Sequence, residues 1–233
     1  SSYVGHSGPV NAIAFTANDE MLTGSSDKTA AVWNLNPGWS LDRTIGSIDD
    51  PSLLVHRVSD IEFNDDGSMI WTGGGVPTRS GKVKIWKDDD GSVVHSMPNA
   101  HADTVLGVSF SRDGRFIATA GADKYIRTFD VVTGEPIRQF EGHTNAVLGV
   151  AWRADGKMLA SCGADNMIMT WNPANSDRLR SVVGYTKQIS SIRFVGNTNV
   201  TVSVSGDHIV RMHNSDNGGQ VRIFANTGTD FLY

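Results

Sequence analysis

Short apolar runs alternate with turn residues along the whole chain. The run Val147–Trp152 is almost continuously apolar, which is typical of a strand buried on both faces. An Asp-Gly pair at 155–156 then signals a hairpin turn, and a second apolar run follows at 158–163. Two further short runs end near Trp171 and Gly184, and no stretch has a helical period of useful length. The pattern predicts an all-β fold with four short antiparallel strands in each unit.

This four-stranded unit recurs at a nearly constant spacing. Three copies begin at His101, His143 and Tyr185, which lie 42 residues apart. An earlier copy begins at His6, and a looser copy ends at Trp86. One four-stranded sheet cannot bury both of its faces alone, so we expect neighbouring copies to stack radially and cover each other. We treat 1–233 as a single domain with repeats at about 6–46, 52–98, 101–141, 143–184 and 185–225, and 226–233 as the start of a further repeat.

These features resemble the WD-repeat β-propeller family. Gly-His pairs at 5–6 and 142–143 open two repeats, and Trp-Asn pairs at 33–34 and 171–172 stand where the family has Trp-Asp. The regular Asp-Gly hairpins are similar to those of bacterial WD-repeat domains. The resemblance implies a propeller of five recognisable blades plus the start of a sixth, with an incomplete ring. We expect the ring to be closed by further blades of the same chain or by another copy.

The resemblance also implies a structural hydrogen-bond tetrad of His, Asp, Ser or Thr, and Trp in each blade. The candidates are His6, Ser25, Asp27 and Trp33 in blade one, His101 and Asp123 in blade three, His143, Asp165 and Trp171 in blade four, and Asp207 in blade five. Gly163 stands at the position expected for the hydroxyl in blade four, and Tyr185 and His213 depart from the pattern in blade five. We therefore expect a complete tetrad only in blade one.

Charge and composition exclude several classes of function. The chain has 20 Lys and Arg against 25 Asp and Glu, which gives a net charge of −5. A nucleic-acid partner is not expected, because phosphate binding needs clustered basic residues. No apolar run is long enough for membrane insertion. Cys162 is the single cysteine, so we expect neither a disulfide within the chain nor a haem attachment. We expect its thiol to be buried and unreactive.

No group of residues has the pattern of a catalytic or metal site. The nucleophile elbow G-x-S-x-G and the phosphate-binding loop are both absent from the sequence. His6, His101 and His143 belong to different blades, which favours a structural role over metal binding. The acidic segment 88–91 lacks the ligand spacing of a calcium loop and is interpreted as a solvated turn. We expect no catalytic residue, no cofactor and no metal.

Two insertions interrupt the regular spacing, at about 47–59 and 73–82. In the topology of the family both would open on one face of the propeller, where long loops on a rigid scaffold often bind partners. The position two residues after each repeat start would point toward the mouth of the central channel. With one residue of the second insertion, these positions form the predicted partner-binding rim: His56, Arg79, Asp103, Asn145 and Lys187.

The predicted function is a non-enzymatic scaffold that binds a protein or peptide partner on this face. The alternative is an accessory propeller domain of a larger bacterial protein, such as a c-type cytochrome fusion, with the chemistry outside these residues. The resemblance to bacterial domains favours an exported location, although no leader opens this chain.

Overall fold

The computed structural model describes residues 5–15, 19–35, 40–47, 49–50, 54 and 56–224. Within these residues all regular secondary structure is β, arranged as five antiparallel sheets of four strands. The predicted all-β architecture of five four-stranded blades is therefore confirmed. The predicted start of a sixth blade, at 226–233, lies outside the described residues. By its contacts the chain divides into two compact units, 1–108 and 109–233.

In every sheet the strands are hydrogen-bonded to their neighbours in chain order. The strands of unit 1 are β1 (Val10–Phe15), β2 (Glu20–Ser25), β3 (Ala30–Asn34) and β4 (Ser40–Ile45) in blade one, and β5 (Val58–Phe63), β6 (Met69–Val76), β7 (Ser80–Lys87) and β8 (Val93–His101) in blade two. Strand β9 (Val105–Phe110) contains the boundary between the units and begins blade three.

The remaining strands belong to unit 2. They are β10 (Phe116–Gly121), β11 (Ile126–Asp130) and β12 (Pro136–Phe140) of blade three, β13 (Val147–Trp152), β14 (Leu159–Gly163), β15 (Ile168–Trp171) and β16 (Arg178–Val182) of blade four, and β17 (Ile189–Phe194), β18 (Val200–Ser205), β19 (Val210–Asn214) and β20 (Gln220–Phe224) of blade five.

The Asp-Gly pairs form the first hairpin turn of three blades. Gly67, Gly114 and Gly156 have φ angles of 75°, 68° and 68°, in the left-handed region that glycine adopts at little cost. The amide of Gly156 donates to the carbonyl oxygen of Arg153 at 2.9 Å, and the same bond recurs at the other two turns. These turns fix the register between the first two strands of each blade.

The core of each unit lies between the facing sides of neighbouring sheets. In unit 1, Leu22 and Val32 of blade one pack with Val58 and Ile61 of blade two. In unit 2, one cluster forms between blades three and four, and a second forms between blades four and five. This packing agrees with the expectation that one blade covers the face of the next within a unit.

Cys162 lies in the second of these unit 2 clusters. Its side chain is fully buried, and burial raises the pKa of the thiol to about 12. The thiolate that would react is therefore essentially unpopulated near neutral pH.

The insertion at 73–82 is an extension of the β6–β7 hairpin rather than a long loop. The two strands pair without interruption from Met69↔Lys87 to Val76↔Ser80, and only residues 77–79 form the turn. Thr78 has a φ of 61°, and the amide of Arg79 donates to the carbonyl oxygen of Val76 at 3.0 Å. The hairpin thus projects Arg79 from a rigid ladder.

Strand β1 differs from its counterparts in the other blades by its exposed apolar face. Ile13 and Phe15 are 56% and 59% exposed, whereas Ile61 and Phe63 at the same register positions of β5 are 2% and 7% exposed. The opposite face of β1 packs normally, since Ala12 and Ala14 contact the core of unit 1. Among the described residues of unit 1, no sheet covers the Ile13 side of blade one.

Candidate functional site

Blade one contains a complete hydrogen-bond tetrad. The Nδ1 atom of His6 lies 3.2 Å from Oδ2 of Asp27, and its Nε2 atom lies 2.8 Å from Oγ1 of Thr23. The same Thr23 hydroxyl accepts a hydrogen bond from Nε1 of Trp33 at 2.8 Å. The shared hydroxyl belongs to Thr23 and not to Ser25, on which the sequence placed it.

Ser25 instead holds the turn that carries Asp27. Its hydroxyl donates to the carbonyl oxygen of Pro9 at 3.0 Å and accepts from the amide of Asp27 at 3.2 Å. Because alternate residues of a strand share a face, Thr23 and Ser25 both project toward the histidine side of β2. The pattern alone therefore does not distinguish them, and the deeper residue is the one that reaches Trp33.

Blade four has an equally complete tetrad, so the expectation that only blade one is complete was wrong. The Nδ1–H group of His143 donates to Oδ2 of Asp165 at 2.9 Å, and Nε2 lies 2.8 Å from Oγ of Ser161. Trp171 donates its Nε1–H to the same Ser161 hydroxyl at 2.8 Å. A Cβ atom added to Gly163 would lie only 2.9 Å from Oδ1 of Asp165, so glycine leaves room for this pair.

Blades three and five pair the turn aspartate with an arginine four residues later. Arg127 lies 2.8 Å from Asp123, and Arg211 lies 2.9 Å from Asp207. The corresponding positions of blades one and four are Ala31 and Met169, which carry no charge. Sequence reasoning missed both arginines, although the shared Asp-x-x-x-Arg spacing was visible.

In blade five a tyrosine takes the place of the tetrad histidine. The Tyr185 hydroxyl lies 2.6 Å from Oγ of Ser203 and 3.3 Å from Nδ1 of His213, which occupies the tryptophan position. The guanidinium of Arg211 lies 4.5 Å from the centroid of the Tyr185 ring. The departures noted in the sequence thus form a substitute network, in which the Tyr185 hydroxyl contacts both polar partners and Arg211 pairs with Asp207.

Blade two retains half of the pattern. Nε1 of Trp86 donates to Oγ1 of Thr72 at 3.0 Å, and the buried Leu54 stands where a histidine was expected. In blade three His101 is buried. The groups at the tetrad positions therefore differ from blade to blade.

The predicted rim residues of unit 1 come from the two insertions and their neighbourhood. His56 and Arg79 are exposed, and Asp103 is half-buried. Oδ1 of Asp103 accepts hydrogen bonds from the amides of Thr78 at 2.7 Å and Thr104 at 2.6 Å. The structure therefore brings Asp103 to the tip of the hairpin that carries Arg79, and gives this carboxylate a positioning role that the sequence did not show.

His56 lines a small cavity of about 30 Å³. Residues of both insertions and of their neighbouring strands line this cavity: Leu54, His56, Arg57, Val58, Thr72, Gly73, Gly74, Gly75, Lys82 and Lys84. Among them, sequence reasoning did not single out the basic residues Arg57, Lys82 and Lys84. Lys82 and Lys84 share one face of β7 because alternate strand residues point the same way. That period-two spacing was the signal that could have identified them.

The electrostatics of this corner favour an anionic contact. Burial, and next the positive charge of Lys82, lower the pKa of Lys84, while Asp50 acts in the opposite direction. The Lys84 ammonium group also lies 5.4 Å from the centroid of the Trp86 ring. Basic groups are thus concentrated here in a chain whose net charge is −5.

The two rim residues of unit 2 lie just before the first strands of their blades. Asn145 is exposed, and its Oδ1 accepts from the amide of Ala146 at 2.8 Å. Lys187 is exposed two residues before β17. Each stands two residues after its repeat start, which is the register position used in the sequence prediction. That these two residues contact a partner stays a prediction.

Comparison with known proteins identifies the repeats. The family model described as WD domain, G-beta repeat matches residues 1–34, 91–130 and 134–172. The chain contains WD40 repeats. The tetrads of blades one and four are the polar core of these WD40 repeats.

Several curated proteins are similar to parts of this WD40-repeat protein. The F-box-like/WD repeat-containing protein TBL1X of Mus musculus is 30% identical over 146 residues, which cover 58% of this chain and 26% of the relative. Coronin-7 of Homo sapiens is 32% identical over 128 residues, with 54% and 13% covered. The periodic tryptophan protein 2 homolog of Schizosaccharomyces pombe is 25% identical over 158 residues, with 59% and 17% covered.

The aligned part of this WD40-repeat protein thus spans about a quarter or less of each relative. These relatives are eukaryotic, and they give no support to the bacterial assignment or to the cytochrome-fusion alternative. Within the described residues, no group of three or more His, Cys, Asp or Glu side chains could hold a metal ion. The same residues contain no helix able to span a membrane.

Proposed function

We propose that this WD40-repeat protein is a non-enzymatic scaffold that docks a protein or peptide partner. The proposal rests chiefly on the way the two insertions of unit 1 meet at one basic corner, defined by His56, Arg57, Lys82 and Lys84. Next to them the rigid β6–β7 hairpin presents Arg79, and Asp103 fixes its tip. Polar contacts on a rigid support are typical of recognition surfaces.

In this proposal His56, Arg79 and Asp103 of unit 1 and Asn145 and Lys187 of unit 2 contact the partner. The corner of unit 1 suits an acidic or otherwise polar segment, because its charges are mostly positive. The WD40 repeats support a scaffold, since the fold builds rigid surfaces and leaves recognition to loops and strand ends.

Alanine at His56, Arg79, Asn145 and Lys187, combined with Asp103→Asn, is expected to lower recovery of specific partners at least about tenfold. The asparagine keeps an acceptor for the Thr78 amide, so the hairpin tip should hold its place. Partners would be quantified by mass spectrometry after capture on the wild-type and variant chains.

The matched control replaces exposed residues of unit 2 outside this set, Glu135, Val183 and Arg222, by alanine. It should recover the same proteins as the wild type. Equal recovery by the five-residue variant would refute these contacts.

We propose in addition that another blade covers the Ile13 face of blade one. A face with Ile13 and Phe15 more than half exposed is an association-prone surface. The covering blade would come from the same protein or from a second copy, as the sequence analysis expected for ring closure.

Sedimentation of residues 1–233 tests this closure. A second copy is supported if the chain associates and the Ile13→Lys and Phe15→Lys double variant abolishes this association. The control Val132→Lys, at another exposed position, should leave the association intact. A monomer that binds a hydrophobic dye at this face, and loses the binding in the double variant, supports a blade from the same protein. A monomer without dye binding contradicts both forms.

A further inference from the structure

A separate groove of about 370 Å³ opens in unit 2 between blades three and four. Phe116, Ile137 and Arg138 of blade three line it together with Trp152 and Pro173 of blade four. The groove shares no residue with the predicted rim. It lies where the outer strand β12 meets the turn between β15 and β16.

The walls of the groove are suited to an apolar side chain. The rings of Phe116 and Trp152 stack with their centroids 6.3 Å apart and their planes inclined by 25°. Ile137 is 44% exposed beside them. Aromatic rings backed by the core of unit 2 offer a rigid apolar contact at low entropic cost.

Trp152 contributes a buried donor that has no acceptor. The indole nitrogens of Trp33, Trp86 and Trp171 donate to hydroxyls at 2.8, 3.0 and 2.8 Å. Trp152 is 9% exposed, and among the described residues its Nε1 has no hydrogen-bond partner. A buried donor without an acceptor is costly, so an acceptor brought by a ligand would be favoured here.

Arg138 contributes a positive charge that the fold does not neutralise. In the described part of the chain its guanidinium has no ion pair or hydrogen bond, whereas its counterpart Arg180 in blade four donates to the carbonyl oxygen of Asp216. Asp155, which precedes the groove residue Gly156 in the chain, has its carboxylate held by Arg153 at 2.9 Å. The groove therefore combines an apolar wall, a spare donor and an unpaired cation.

We propose that this groove binds a short acidic peptide segment of a protein partner. An aliphatic or aromatic side chain of the segment packs on Phe116 and Ile137, and a main-chain carbonyl accepts from Nε1 of Trp152. An adjacent Asp or Glu carboxylate pairs with Arg138. This combination selects a carboxylate next to an apolar residue and disfavours basic segments.

Selection from displayed random heptapeptides tests the chemistry of the occupant. The intact chain is the bait, and counter-selection uses Ile137→Asp, which places a negative charge in the groove. We expect the enriched sequences to carry Asp or Glu within two residues of Leu, Ile, Phe or Tyr. Absence of enrichment, or enrichment of basic or uncharged sequences, overturns the proposal.

Variants of the chain then show where the most enriched peptide binds. Arg138→Ala should weaken its binding by about tenfold, and Trp152→Phe by about fivefold, because each removes one polar contact. Trp152→Phe should cost less thermal stability than Trp171→Phe, since both lose the same indole atoms but only Trp171 also loses a hydrogen bond that the fold uses. The matched controls Val221→Asp and Arg222→Ala stand at the positions of Ile137 and Arg138 in blade five, and should leave binding unchanged.

Two further results decide the assignment. The indole N–H resonance of Trp152, assigned by its absence in Trp152→Phe, should shift when the peptide is added. The five-residue rim variant should bind the peptide as the wild type does, so loss of the rim function and loss of the groove are distinguishable. Peptide binding that survives both Arg138→Ala and Trp152→Phe would place the peptide elsewhere and refute the proposal.

Discussion

Replacing Trp171 by alanine is expected to lower the free energy of unfolding by about 4 kcal/mol. The Trp171 side chain is fully buried and packs edge-on against Phe140, with ring centroids 5.8 Å apart. Its loss leaves a cavity in the core between blades three and four. It also removes the hydrogen bond that the Ser161 hydroxyl accepts from Nε1 of Trp171. Urea denaturation followed by circular dichroism measures the change.

Trp171→Phe retains part of the packing. Phenylalanine keeps a six-membered aromatic ring but lacks the pyrrole part of the indole and its Nε1–H bond, so we expect a smaller cost of about 2 kcal/mol. Val132→Ala, at a position that is 79% exposed, should change stability by less than about 0.5 kcal/mol. If Trp171→Ala cost no more than Trp171→Phe, the tryptophan would not be part of a tightly packed core.

Stability is expected to fall as the pH is lowered from 7 to 5. Burial lowers the pKa of His143, and the charge and hydrogen bond of Asp165 only partly oppose it. Above about pH 6.5 the imidazole is neutral in both states, and below it the unfolded chain takes up a proton that the folded chain resists. The loss can reach about 1.4 kcal/mol per pH unit for one such group.

The histidine contribution can be isolated within this window. Burial, and next the charge of Arg211, lower the pKa of His213 as well, so both histidines act in the same direction. Carboxylates with a lowered pKa, such as Asp207, lose their contribution only below their ordinary range near 4. We expect His143→Gln to reduce the slope of stability against pH, measured by urea denaturation at each pH. An unchanged slope would contradict the assignment to His143.

The blade architecture was predictable from the sequence for two physical reasons. Strand pairs such as β13 and β14 are apolar on both faces, and a glycine with positive φ stands in the turn between them. Both requirements are local and leave a clear mark in the sequence. The 42-residue spacing then repeated the evidence.

The polar contacts were less predictable because they depend on depth within a strand. Ser161 and Gly163 share a face of β14, and only the three-dimensional path of the His143 ring decides which one it reaches. The Arg–Asp pairs of blades three and five were missed because the usual tetrad contains no arginine at the position that Arg211 occupies. Substitutions that preserve a network by other chemistry are not apparent from a single motif.

The candidate sites were predictable only where their residues lie close together in the sequence. Register placed His56 at an exposed position of unit 1, and the second insertion did the same for Arg79. The capping of the hairpin tip by Asp103, however, joins residues 25 positions apart. The groove of unit 2 was not predicted. Its walls come from separate strands of two blades, and its main signal, a tryptophan without an acceptor, exists only after folding.

Because the Cys162 thiol is buried and has a pKa of about 12, the native chain should react very little with maleimide reagents. A cysteine introduced at an exposed position would therefore be the single labelling site, and no background mutation would be needed. Fluorophores attached one at a time beside Arg138 or His56 could report occupancy of the groove and of the basic corner separately in the same scaffold.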